Sequence, residues 1–225
     1  MRLVFATILF AGGLVDAQVF VVPAAGEPET CPPVCDQIPA TAWLPPRAVP
    51  LNSTYNWPPL AGLVVQVTGS GAAPRFRFEE LCAARPLAQD PRASAVAARV
   101  TVAHPEGQWQ LMAQIVHWRG DTARGGAIAS SVFDNAVAVL RGCQQGAPLQ
   151  SPSITTDELT RMAAVISGPV VMHTYLVAHV ASSTISELTL WSGAPPQVPW
   201  PSMADGQVLD SMTAPLCEAY IASCP

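Results

Sequence analysis

The sequence predicts an α+β fold, an antiparallel sheet packed by helices and braced by disulfides into a single domain. Three observations predict it. Short stretches rich in β-branched and aromatic residues recur in hairpin-like pairs. Two other stretches carry helical spacing, and each runs to a cysteine. Six cysteines, an even number, follow an N-terminal stretch with the form of an export signal.

Residues 1–17 read as a signal peptide. Arg2 supplies the positive charge and Leu3 to Val15 the apolar stretch, and Val15 and Ala17 are small residues ahead of a cut at Gln18. That stretch is shorter than the roughly 20 residues a spanning helix needs, and later windows are broken by polar residues. The mature chain is therefore expected to be secreted, to the cell envelope or the extracellular space, and not membrane-spanning. Residues 18–60 form a Pro-rich N-terminal extension. Proline fixes φ and donates no N–H, so this segment is expected to be extended and packed on the body through Trp43 and Trp57.

Residues 61–225 form the α+β body. Leu63 to Val67 and Arg99 to Ala103 suit strands. His104-Pro105-Glu106-Gly107 suits a type I turn. Trp109 to Trp118 follows as a strand with Trp109, Leu111, Ala113, Ile115 and His117 on one face, and Arg119-Gly120-Asp121 closes the hairpin. Ser131 opens a helix whose apolar positions are Val132, Phe133, Ala136, Val137 and Leu140; Gly142 stops it and Cys143 lies just beyond. Leu159 to Ile166 fits a helix or a strand equally. Val170 to Val180 and Thr184 to Trp191 are strands joined by a turn at Ala181-Ser182-Ser183. A helix over 208–224 ends the chain, with Pro215 tolerable only in a first turn capped by Thr213.

An exported chain keeps its disulfides. Metal ligation is the rival reading, but there is no CxxC pair and no His at zinc-like spacing from a Cys. On a continuous helix Cys217 and Cys224 stand about 10.5 Å apart, beyond disulfide reach. Cys31-Pro32-Pro33-Val34-Cys35, as polyproline II, spans about 12 Å. The matched spans predict a clasp of Cys31 and Cys35 on Cys217 and Cys224, in either order, with a local Cys31–Cys35 bond as the alternative. Cys82 and Cys143 are then left to pair.

Composition excludes several functions. The 225 residues carry a net charge of −5 and no Lys, all eleven basic residues being Arg. A P-loop Lys, a Schiff-base Lys and a Ser-x-x-Lys nucleophile are thereby absent, as is the polybasic tract of a nucleic-acid or anionic-membrane binder. G-x-S-x-G, H-E-x-x-H and a strand-to-helix G-x-G-x-x-G are also missing. No cofactor and no metal site are expected. The candidate ligand-binding residues are His173, Tyr175 and His179, which alternate onto one strand face, with His117 able to approach across the sheet. His173 and His179 are about 20 Å apart along the strand, too far to share one ligand atom.

Glu79-Glu80-Leu81-Cys82, the run Val132-Phe133-Asp134-Asn135-Ala136 to Cys143, and the Cys82-to-Cys143 spacing resemble the PknH-like extracellular domain family. This is the sensor ectodomain of a mycobacterial serine/threonine kinase and its exported relatives. The resemblance covers roughly residues 45–224. It implies an antiparallel sheet packed by helices, a helix-tying disulfide and a sensor-like role, although this chain has no kinase domain. The expected function is a non-enzymatic ligand-binding or sensor-like module of the envelope, taking a small molecule, lipid or envelope glycan. A secreted hydrolase with a spatially assembled Ser/His/Asp site is the alternative, and a purely structural envelope protein the third reading.

Overall fold

The computed structural model describes residues 31–32, 34–67, 73–221 and 223–224. The expected signal peptide and residues 18–30 lie outside them. The chain is α+β, built on a seven-stranded antiparallel sheet in the order β1-β2-β3-β7-β6-β5-β4. The strands are β1 (Val65–Gln66), β2 (Val96–Val102), β3 (Gln110–His117), β4 (Ser151–Asp157), β5 (Arg161–Ser167), β6 (Val170–His179) and β7 (Thr184–Gly193). The helices are α1 (Asn52–Tyr55), α2 (Arg77–Leu81), α3 (Thr122–Arg141), α4 (Cys143–Gly146) and α5 (Asp205–Ala219).

Alternation sends successive side chains to opposite faces, and both faces are covered. Ile115, Tyr175, Val177 and Leu188 meet α5 and the 31–64 arm. Val116, Met162, Leu176 and Ile185 meet α2 and α3. Trp43 and Trp57 in the described part of the arm are buried. The arm is not extended throughout, because short 3-10 turns at Ala40–Ala42, Pro46–Ala48 and Leu60–Leu63 fold it onto the sheet.

Several elements differ from expectation. The β2–β3 turn slips by one residue: the Gln108 N–H donates to the Pro105 carbonyl, and Gly107 takes φ +79° at the third position. A positive φ there is the type II pattern, which glycine adopts without strain. Helix α3 starts at Thr122, with Asp121 accepting the Arg124 N–H as its N-cap, so Arg119-Gly120-Asp121 leads into a helix. Gly125 and Gly126 hide these first turns because glycine is a poor helix former. Contact requires them: an added Cβ would collide with Ser183 Oγ at Gly125 or come within 2.6 Å of the Val180 carbonyl at Gly126. Most of the ambiguous 159–166 stretch, from Arg161 on, lies in β5, paired with β4. Helix α5 runs from Asp205 with Pro215 well inside it, and Thr213 is not its cap.

The disulfides correct the predicted clasp. Cys31 pairs with Cys35, Cys82 with Cys143, and Cys217 with Cys224. Helix α5 ends at Ala219 and Tyr220 turns extended, so Cys224 folds back to a Cα separation of 5.2 Å from Cys217. The Cys35 N–H closes a turn on the Pro32 carbonyl, bringing Cys31 and Cys35 to 5.6 Å. The two chain ends do meet, through the backbone: the Cys31 N–H donates to Ala219 and the Ile221 N–H to Cys31. By loop-closure entropy the Cys82–Cys143 bond, spanning 61 residues, is worth about 4 kcal/mol, and each short loop about 2 kcal/mol.

Candidate functional site

A cleft of about 600 Å³ lies between the residues following α2 and the outer side of α3. Val132, Ala138 and Val139 supply apolar surface from α3, and Pro86 and Leu87 face them from the loop. The Cys82–Cys143 bond ties loop to helix beside it.

The polar wall is an ion network centred on Arg92, which is 4% exposed. Asp90 caps a short 3-10 turn by accepting the Arg92 N–H, and Pro91 at the first helical position suits that start. This turn points the guanidinium inward. Its Nε and Nη2 donate to Asp90 at 3.0 and 2.7 Å, and its Nη1 donates to Glu79 Oε2 at 2.7 Å. Glu79 Oε2 also accepts the Phe76 N–H at 2.9 Å, capping α2, and the guanidinium lies over the Phe76 ring. Burial works against the charge, but the Asp90 and Glu79 carboxylates outweigh it and hold the Arg92 pKa above its ordinary value. Arg75 closes the wall by donating to the Glu79 and Ala84 carbonyls. Arg85 is exposed at the rim. The lining holds Arg75, Arg85 and Arg92 against Glu79 and Asp90, a formal balance of +1 in a chain of −5.

A second buried polar group lies nearby. Glu187 on β7 is 1% exposed and faces α2. Its Oε1 accepts the Arg77 N–H at 2.7 Å, while Oε2 has no partner among the described residues. Burial raises its pKa to about 8, against the opposing Arg77 hydrogen bond and the nearby Arg99 charge.

The sequence-predicted residues do share one sheet face, but that face is covered. Tyr175 is buried, with burial first and the Asp205 carboxylate second in raising its pKa. His173 stacks on Trp200 at 3.6 Å between centroids, and burial lowers its pKa to about 4. His117 is buried and stacked on Tyr220 at 4.6 Å. His117 and His179 stand either side of Thr184 at one end of the sheet, and His173 is at the other. His179 lies against the Cys217–Cys224 pair. The four side chains therefore line no common open surface. Glu187 and the Arg92–Glu79 pair escaped the sequence reading because the partners lie 110 and 13 residues apart; the Asp-Pro-Arg turn, with Asp90 two residues from Arg92, is a local signal.

Comparison with protein-family models, with curated proteins and with solved structures finds no match to this chain. Among the described residues no helix is long and apolar enough to cross a membrane.

Proposed function

We propose that this is an exported ligand-binding module, sensor-like in role, whose site is the α2–α3 cleft. The observation that carries the reading is a concave surface with an apolar side and a wall of charged groups already locked in place. Such a wall changes little on binding, so little ordering opposes association. The excess positive charge and the exposed Arg85 favour a small anionic amphiphile, such as a lipid acid. Glu79, Cys82, Val132 and Asn135, which carry the resemblance to the PknH-like extracellular domain, all line this cleft, and that coincidence supports a sensor-like role. Export is supported by the sequence of residues 1–17 and by three paired cysteines.

Calorimetric titration with decanoate and with a decyl glucoside tests the reading. Decanoate is expected to bind, Arg85→Glu to weaken it about tenfold by reversing the rim charge, and the neutral glucoside to bind less well. No heat from either ligand, or binding unaffected by Arg85→Glu, would remove the cleft as the site. A hydrolase gains less support. His179 Nδ1 lies 2.7 Å from Ser182 Oγ, but its other nitrogen faces the Cys217 and Cys224 sulfurs, not a carboxylate.

A further inference from the structure

On the other face of the sheet, His179, Cys217 and Cys224 place one ring nitrogen and two sulfurs within 4.8 Å of one another. His179 Nε2 stands 3.7 Å from Cys217 Sγ and 3.4 Å from Cys224 Sγ. In a tetrahedral zinc site with Zn–S near 2.3 Å and Zn–N near 2.0 Å, the nitrogen-to-sulfur edge is about 3.5 Å. The histidine already stands at ligand distance from both sulfurs, and only the sulfurs have to part, to about 3.7 Å.

The imidazole is also prepared for this. Ser182 Oγ lies 3.2 Å from the His179 carbonyl and 2.7 Å from Nδ1; donating its one proton to that carbonyl would leave its oxygen to accept from Nδ1–H. A neutral ring that donates from Nδ1 has a bare lone pair on Nε2, and Nε2 is the atom facing the sulfurs. Oriented imidazoles of this kind are the usual second half of a metal–histidine arrangement. Cys224 is exposed, so solvent can reach the site and fill a fourth position.

We propose that Cys217–Cys224 is a redox-gated cation site: once the disulfide is reduced, His179 and the two thiolates bind a thiophilic divalent ion such as Zn²⁺. The reductant is a dithiol. It gives two electrons and two protons to the disulfide, the S–S bond breaks, and the dithiol leaves as its own disulfide. The ion then forms two metal–sulfur bonds and one metal–nitrogen bond, and the two thiol protons go to solvent. Oxidised protein holds no thiolate there and does not bind.

Cobalt(II) serves as the probe, titrated into the purified protein before and after anaerobic reduction with dithiothreitol and removal of the reductant. Thiolate-to-cobalt charge-transfer bands are expected only after reduction, saturating at one ion per chain and bleached by zinc. Cys31→Ser with Cys35→Ser should keep them. Cys217→Ser with Cys224→Ser should abolish them, and His179→Ala should weaken binding by at least about tenfold. No bands in reduced protein, bands that survive loss of Cys217 and Cys224, or binding unchanged by His179→Ala would overturn the proposal. Should His179→Ala fail to fold, alkylation of the reduced natural chain decides: zinc is expected to shield Cys217 and Cys224 while Cys31 and Cys35 react. Equal labelling of all four with and without zinc would overturn it.

Discussion

The two faces of the sheet are buried by different chemistry. Under the arm and α5, rings close the surface: Trp109 packs against Trp200, Trp200 on His173, and Tyr220 on His117. Under α2 and α3, a helix brought close by Gly125 and Gly126 shares the cover with the fixed charges of the Arg92 network and with the buried, protonated carboxyl of Glu187. Apolar and aromatic burial is non-directional and tolerant of relocation. Buried charge is not, because each group must keep its partner. The helix side is therefore expected to be specified by a few residues and the arm side by many. The open cleft lies on the side where geometry is fixed most tightly.

Removing one charge should break this contrast with the largest effect. Arg92→Ala leaves Glu79 and Asp90 without their central cation, with Arg75 Nε no nearer than 4.0 Å to Glu79. The loss is expected to be about 3–5 kcal/mol, read as the shift of a urea midpoint. On the arm side, removing Leu63, which is already 45% exposed, should move that midpoint by under about 0.5 kcal/mol. A midpoint for Arg92→Ala within about 1 kcal/mol of the natural protein would mean that the network behaves like a surface pair.

Legibility followed the same division. The β2–β3 and β6–β7 hairpins were readable because β-branched and aromatic residues cluster between turn formers. The C-terminal half of α3 was readable from Val132, Phe133, Ala136, Val137 and Leu140, all of them buried. Its first half was not, since the reason for Gly125 and Gly126 is contact with residues 180 and 183. The disulfide clasp read from matched spans was wrong: only the Cys31 backbone meets residues 219–221, and the pairing depended on where α5 stops, an end that nothing before Tyr220 in the sequence signals. The cleft wall joins residues 75, 79, 90 and 92 through side-chain geometry alone. The His179 cluster spans 38 and 45 residues of chain, far outside any local ligand spacing.

Glu187 makes the stability of the helix side depend on pH. Its carboxyl holds a proton up to about pH 8 in the folded chain, against an ordinary value of 4.5. Between those values the folded state binds more protons than the unfolded state, so stability falls as pH rises. The slope approaches about 1.4 kcal/mol per pH unit in mid-window. Glu187→Gln cannot ionise, and its stability relative to the natural protein should climb steadily from pH 5 to pH 8.5. Urea midpoints that stay parallel over that range would show that Glu187 ionises in place without cost.

His173 gives the opposite and smaller limb from the arm side. Burial against Trp200 lowers its pKa to about 4 from an ordinary 6.5, with the Asp205 charge opposing the shift. In this window the unfolded chain binds the extra proton, so the contribution is complete above pH 6.5 and is lost as pH falls toward 4. The ring is partly exposed, which limits the effect to on the order of 1 kcal/mol. His173→Phe preserves a ring over Trp200 and removes the titration, so the acid decline should become shallower while the alkaline limb set by Glu187 is untouched. His179, also lowered by burial, leaves a residual decline that His173→Phe does not remove. A change in the alkaline limb instead would show that the two faces are coupled through the strands and do not titrate independently.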